Sequence, residues 1–126
     1  LAQERTKVGL ALAQRLGFPV LEAQAIHNLG FFARAAGDLA RAQHNYEQAV
    51  SIYDRLGHRR EAAQARNNLG GVQFRLGELE AAEETWLQAL AVLEVVGDVD
   101  TAKQVRHNLT VLEEAVTPIE LTEEEA

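Results

Sequence analysis

The sequence predicts an all-α fold, a solenoid of about six helices stacked as antiparallel pairs. Three observations predict it: an internal repeat of forty residues, apolar residues recurring at helical spacing inside each repeat, and glycines that punctuate the pattern. Alanine, leucine, glutamate, glutamine and arginine dominate the composition, and only two prolines occur in 126 residues, which suits helices.

The repeat carries the most weight, because a fixed period of this size marks repeat architectures before any other feature does. Residues 16–57 and 56–97 share fourteen identities over forty-two aligned pairs. Chance at this composition gives about three or four. Leu16-Gly17, Leu56-Gly57 and Val96-Gly97 fall in register, as do Asn28-Leu29-Gly30, Asn68-Leu69-Gly70 and Asn108-Leu109-Thr110. Gln24, Gln64 and Gln104 match, as do Gly37 with Gly77, Leu39 with Leu79, Ala42 with Ala82 and Ala49 with Ala89.

Each period divides into two helices. From about 20 to 36, Leu21, Ala25, Leu29, Phe32, Ala33 and Ala36 recur at steps of three and four, as one helical face requires. Gly37-Asp38 ends that helix, since glycine tolerates the left-handed conformation of a helix stop. A second stripe follows in Leu39, Ala42, Tyr46, Ala49, Val50, Tyr53 and Leu56, closed by Gly57. It recurs as Leu79, Ala82, Trp86, Ala89, Leu90, Leu93 and Val96, closed by Gly97. Loops this short force neighbouring helices antiparallel.

The same register places Leu10, Ala13 and Leu16 forty before Val50, Tyr53 and Leu56, and Gly9 in the small-residue row of Ala49 and Ala89. The expected order is therefore the second helix of a pair at 1–17, whole pairs at 20–57 and 60–97, and a first helix at 99–116. For 117–126 the reading is an acidic tail or the start of a further helix. Thr117-Pro118-Ile119-Glu120 has the form of a helix start, with a threonine cap, a first-turn proline and a glutamate three residues on.

This pattern resembles the tetratricopeptide repeat family over residues 1–116. The residues that carry the resemblance are Leu29-Gly30 and Leu69-Gly70, Gly37 and Gly77, Ala42 and Ala82, the aromatic Tyr46 and Trp86, and the small Ala49 and Ala89. The forty-residue period looks like the longer-helix variety of kinesin light chains and of bacterial regulators. Departures are Ile26, Arg66 and Arg106 in place of the family's early aromatic, and Thr110 where glycine is expected. The resemblance implies a right-handed superhelix whose first helices line a concave surface, and a role in protein–protein interaction.

On that surface the expected stripe is Gln24, Asn28, Phe31 and Ala35, then Gln64, Asn68, Gly71 and Arg75, then Gln104, Asn108, Val111 and Ala115. Asparagine is a poor residue for a helix interior, so its threefold recurrence needs a reason. One is a peptide-binding ladder, in which amides that both donate and accept clamp an extended backbone; the resemblance supports this. The other is structural, with the amides tying neighbouring helices together. The candidate peptide-binding residues are Gln24, Asn28, Phe31, Gln64, Asn68, Arg75, Gln104 and Asn108.

Charge adds a hint about the partner. Residues 23–36, 63–76 and 103–112 contain no acid, although the chain carries a net charge of −7. An acidic peptide segment is the partner this segregation favours. Arg66 and Arg106 lie toward the flank and are expected to pair with acids such as Glu83 or Glu84. Four acids, at 120 and 123–125, make the net charge partly a property of the tail.

Other functions find little support. Net acidity disfavours nucleic-acid binding. No apolar run approaches a membrane span. The absence of cysteine removes disulfides and thiolate metal sites. The four histidines show no metal-ligand spacing, and Ser51, the only serine, has no apparent base. The expectation is a cytoplasmic, non-catalytic scaffold with no cofactor and no metal, part of a larger regulatory protein, given that the chain opens at Leu1. The alternative is an architectural segment without a peptide ligand, with a homodimer formed through exposed solenoid ends.

Overall fold

A computed structural model describes residues 1–125, and the side-chain surroundings of residues 1–117. The helices are α1 (Ala2–Leu16), α2 (Pro19–Ala35), α3 (Leu39–Leu56), α4 (Arg59–Arg75), α5 (Leu79–Val96) and α6 (Val99–Glu125). The fold is an all-α helical solenoid, and no strand interrupts the described residues. Each helix packs against its neighbours in sequence, and α4 also touches α6.

The turns are set by glycines twenty residues apart. Gly17, Gly37, Gly57, Gly77 and Gly97 all have φ between 74° and 83°, a left-handed conformation that costs other residues a steric clash. After each glycine the next N–H returns to a carbonyl five residues back, as in Phe18 to Ala13 at 2.9 Å and Glu78 to Gln73 at 2.9 Å. This closure satisfies carbonyls that a helix end would leave unpaired. Asp38 and Asp98 cap the following helices by accepting from the N–H groups of Arg41 and Thr101.

The core runs along the seam between pairs. Buried Tyr46 packs with Ala33, Ala42, Leu69 and Val72. One period later, Trp86 packs with Ala63, Ala82, Ala89 and Leu93. A Cβ at Gly30 would come within 2.9 Å of the Tyr46 ring, and one at Gly70 within 2.6 Å of Trp86 Cδ1. The two glycines let the aromatics lie directly on the inner-helix backbone, and the Trp86 indole N–H donates to the Asn67 carbonyl at 3.0 Å.

The outer-helix stripes fall where the periodicity predicts them, and the α2 stripe does so in part: Ala25 and Ala33 are buried, while Leu21 and Ala36 are exposed. Its buried residues are Ala23, Ala25, Ile26, Gly30 and Ala33, whereas Leu21 is 53% exposed. Leu21 lies about 200° around the helix from Ala23. The buried face is centred on Ala23, Ile26, Gly30 and Ala33, rotated from the one the stripe predicts.

The expected boundary at residue 117 is also corrected. α6 continues to Glu125 as one helix, with no new start at Thr117. The Thr117 hydroxyl donates to the Glu113 carbonyl four residues back at 2.8 Å, the bond of a helix-interior threonine and not of a cap. Position 117 is forty beyond Gly77, so the glycine that stops α2 and α4 is missing there. The cap-like sequence does not substitute for that stop.

Candidate binding groove

The inner helices α2, α4 and α6 stand side by side and contribute together to one open pocket of about 350 Å³. Arg34, Asn67, Asn68, Gly71, Gln104, His107 and Asn108 line it. Helix α2 supplies Arg34, α4 supplies Asn67, Asn68 and Gly71, and α6 supplies the rest. Three of the eight sequence-predicted residues therefore meet here, namely Asn68, Gln104 and Asn108.

The amides also bond to one another, and the pattern is regular. The Asn68 amide lies 2.7 Å from Nε2 of His27, and the Asn108 amide donates to Oδ1 of Asn67 at 2.9 Å. Both bonds join residues forty-one apart, linking the asparagine of one inner helix to the residue before the asparagine position on the previous one. Asn67 is buried and is the node of the network. It accepts from Asn108 and donates to Oε1 of Gln104 at 3.2 Å.

The remaining predicted residues are scattered. Gln64 points to the turn before α6 and donates to Oδ2 of Asp98 at 3.0 Å. That bond, followed by the cap contacts of Thr101, holds the Asp98 carboxyl below its ordinary pKa. Gln24, Asn28 and Arg75 are exposed. Phe31 is 50% exposed, and the Arg34 guanidinium sits 5.2 Å above its ring. Asn28 has no side-chain hydrogen bond among the described residues.

Two arginines leave the groove. Arg66 makes a forked pair with Asp54 at 3.1 and 2.6 Å, and Arg106 pairs with Glu94 at 3.1 Å. The expected partners, Glu83 and Glu84, are replaced by acids twelve residues upstream on the preceding outer helix. That helix lies on the flank of the inner helix from which both arginines project, and the pairing recurs one period later.

Of His27, Asn67 and His107, each one place before the asparagine position, Asn67 and His107 line the pocket and His27 bonds to Asn68; only Asn67 was not singled out by the sequence. They share one column of the repeat, but its identity alternates between histidine and asparagine, so identity matching gives no signal there. Burial pushes the His27 pKa down, and nearby Arg34 acts in the same direction.

A repeating helix pair with an aromatic seated on a glycine, closed by left-handed turns, defines a helical-repeat solenoid. The tetratricopeptide repeat family model matches residues 21–95, and the chain belongs to that family. No curated protein is significantly similar in sequence. Among solved structures, BtubC (BKLC) from P. vanneervenii is similar, with a TM-score of 0.64 at 19% identity. The match covers 92% of this chain and 57% of that one. At that identity the likeness concerns the fold alone. Members of the family generally mediate protein–protein interaction. Among the described residues, no helix is long and apolar enough to cross a membrane.

Proposed function

We propose that the chain is a non-catalytic scaffold, part of a larger cytoplasmic regulatory protein, whose inner face holds an extended acidic segment of a partner. The observation that carries this reading is an acid-free pocket in a chain of net charge −7. Arg34 lines the pocket, Arg75 is an exposed cation on α4, and Arg66 and Arg106 are paired away from it. Positive potential in a cleft attracts anionic segments and speeds their association. Asn68 and Asn108 brace neighbouring helices, and each keeps an Oδ1 acceptor free for a bound backbone.

The test is selection from a randomised linear-peptide library by wild type and by an Asn28→Ala/Arg75→Glu variant. Both substitutions fall on exposed positions and leave the internal amide bonds intact. Acidic peptides retained by wild type and lost by the variant support the groove. No enrichment by wild type rejects it.

A second reading, end-to-end self-association, is favoured by the apolar N-terminal end. Val8, Leu12, Leu16, Phe18 and Leu21 are each 47% to 60% exposed there. Sedimentation equilibrium separates the readings: a dimer abolished by Leu12→Glu/Leu16→Glu favours this one, and a monomer at all concentrations removes it.

A further inference from the structure

The chain is electrically polarised along its stack. Residues 1–77 hold ten bases and six acids, whereas residues 78–126 hold two bases and thirteen acids. Helix α1 carries Arg5, Lys7 and Arg15 against the single acid Glu4. At the other end, Glu83 and Leu87 of α5 and Leu109, Leu112, Glu113 and Val116 of α6 line an open cavity of about 400 Å³. Neither Glu83 nor Glu113 is in an ion pair among the described residues.

That cavity lies where an outer helix covers the inner one elsewhere. α3 returns over α2 and α5 over α4, but α6 runs on to Glu125 without a turn. α1 belongs to the outer-helix register, and no inner helix precedes it among the described residues. Its Gly9 is exposed, although Ala49 and Ala89 in the same row are fully buried. Leu12 and Leu16 are exposed in the columns of Ile52 and Leu56, which pack into the core one period later.

One pair of columns distinguishes these two helices from an ordinary repeat. Within the stack an outer-helix aromatic sits on an inner-helix glycine, Tyr46 on Gly30 and Trp86 on Gly70, and a Cβ at either glycine collides with the ring. α6 has Thr110 in the glycine column, so an outer helix bearing the aromatic does not seat on it. α1 has Thr6 in the aromatic column. The small residue of one helix therefore suits the filled glycine position of the other. Both hydroxyls donate to carbonyls four residues back on their own helices, so neither donor is left unpaired.

We infer that a second copy of the chain covers this end: its α1 takes the outer-helix place on α6, and copies associate head to tail. Ala33 packs with Ala42 and Tyr46. The same register sets Glu113 near Ala2 and Thr6 of the incoming helix, beside its Arg5. The basic end meets the acidic one, whereas two like ends would oppose charges of one sign. A contact between unlike ends is heterologous and repeats from copy to copy. The inference rests on the self-association reading above and adds which surfaces join and in what register.

Sedimentation of the full chain at rising concentration tests it, with each variant checked for helicity. Wild type is expected to grow past the dimer. Leu12→Glu/Leu16→Glu at one end and Leu87→Arg/Glu113→Arg at the other should each weaken association by about tenfold or more. A mixture of these two variants should nevertheless form a one-to-one complex, since each keeps one intact end. Thr6→Trp sets an indole against Thr110 and should weaken association comparably, and adding Thr110→Gly should restore it. Association that survives Leu87→Arg/Glu113→Arg, or a mixture that forms no complex, overturns the head-to-tail contact and leaves self-association through like ends standing. An indole tolerated at position 6 without Thr110→Gly overturns the register. A wild type that stays monomeric at every concentration rejects the self-association reading and this inference with it.

Discussion

Asn68 reaches from α4 to α2 and donates its side-chain amide to Nε2 of His27 across 2.7 Å. An amide nitrogen only donates, so Nε2 must accept, and the ring is neutral with its proton on Nδ1. Burial, and then Arg34, hold its pKa below the ordinary value. The other ring packed against it, Tyr46, meets it edge-on at 5.4 Å.

A pH dependence of stability follows. As pH falls below the ordinary histidine value of about 6.5, the unfolded chain takes up the proton before the folded one does. The contribution of His27 is therefore complete above that value and is lost on acidification toward the lower folded pKa. Urea midpoints at about pH 7.5 and about pH 5 measure the loss. His27→Asn should keep a bond to Asn68, as Asn67 does to Asn108, while reducing the drop. An unchanged drop in the variant would assign the effect to other groups.

The neighbouring glycines should respond to alanine with opposite signs. Gly70→Ala forces the Trp86 indole off the backbone, where Cδ1 and Cε2 would lie 2.6 and 2.7 Å from the new Cβ. Overpacking of this kind costs about 1–3 kcal/mol. Gly71→Ala meets open space and should gain about 0.5–1 kcal/mol from helix propensity alone. Chemical denaturation of the two variants gives both values.

The contrast between these glycines shows what the sequence made legible. A shift of forty aligns Gly30 with Gly70 and Tyr46 with Trp86, so the seam of the fold was visible as matched columns. The amide network was not, because its bonds run from the column of His27 and Asn67 to the column of Asn68 and Asn108. A bond between different columns leaves no identity at the repeat period. The end of α6 was misread for a related reason. The local signature at Thr117 outranked the missing glycine, although the glycine is what stops α2 and α4. Of the site, the inner face and its lack of acids were readable, while the division of the amides between bracing and exposure required the packing.

The repeated ion pairs should differ in strength despite equivalent positions. Arg66 holds Asp54 through its two terminal guanidinium nitrogens and is 21% exposed, whereas Arg106 and Glu94 share one contact and are each 52% exposed. Exposed pairs couple by about 0.2–1 kcal/mol, with forked geometry toward the upper end. Double-mutant cycles with alanine should place Arg66–Asp54 above Arg106–Glu94, and salt should weaken both. Equal coupling would mean that the fork adds nothing.

Asn28 and Asn68 occupy the same column but should fail differently. Asn68→Ala removes the bond to a partly buried imidazole, so it should lower stability by about 1 kcal/mol. Asn28 is exposed and takes part in no such bond, so Asn28→Ala should move the urea midpoint little or slightly upward, alanine being the better helix former. If the inner face receives a partner segment, Asn28→Ala should still weaken binding of that segment. A loss of binding at Asn68 alone would follow from disturbed packing. A loss at Asn28 without a change in stability has no such explanation, because that side chain braces nothing, and the effect would then belong to the contact with the ligand.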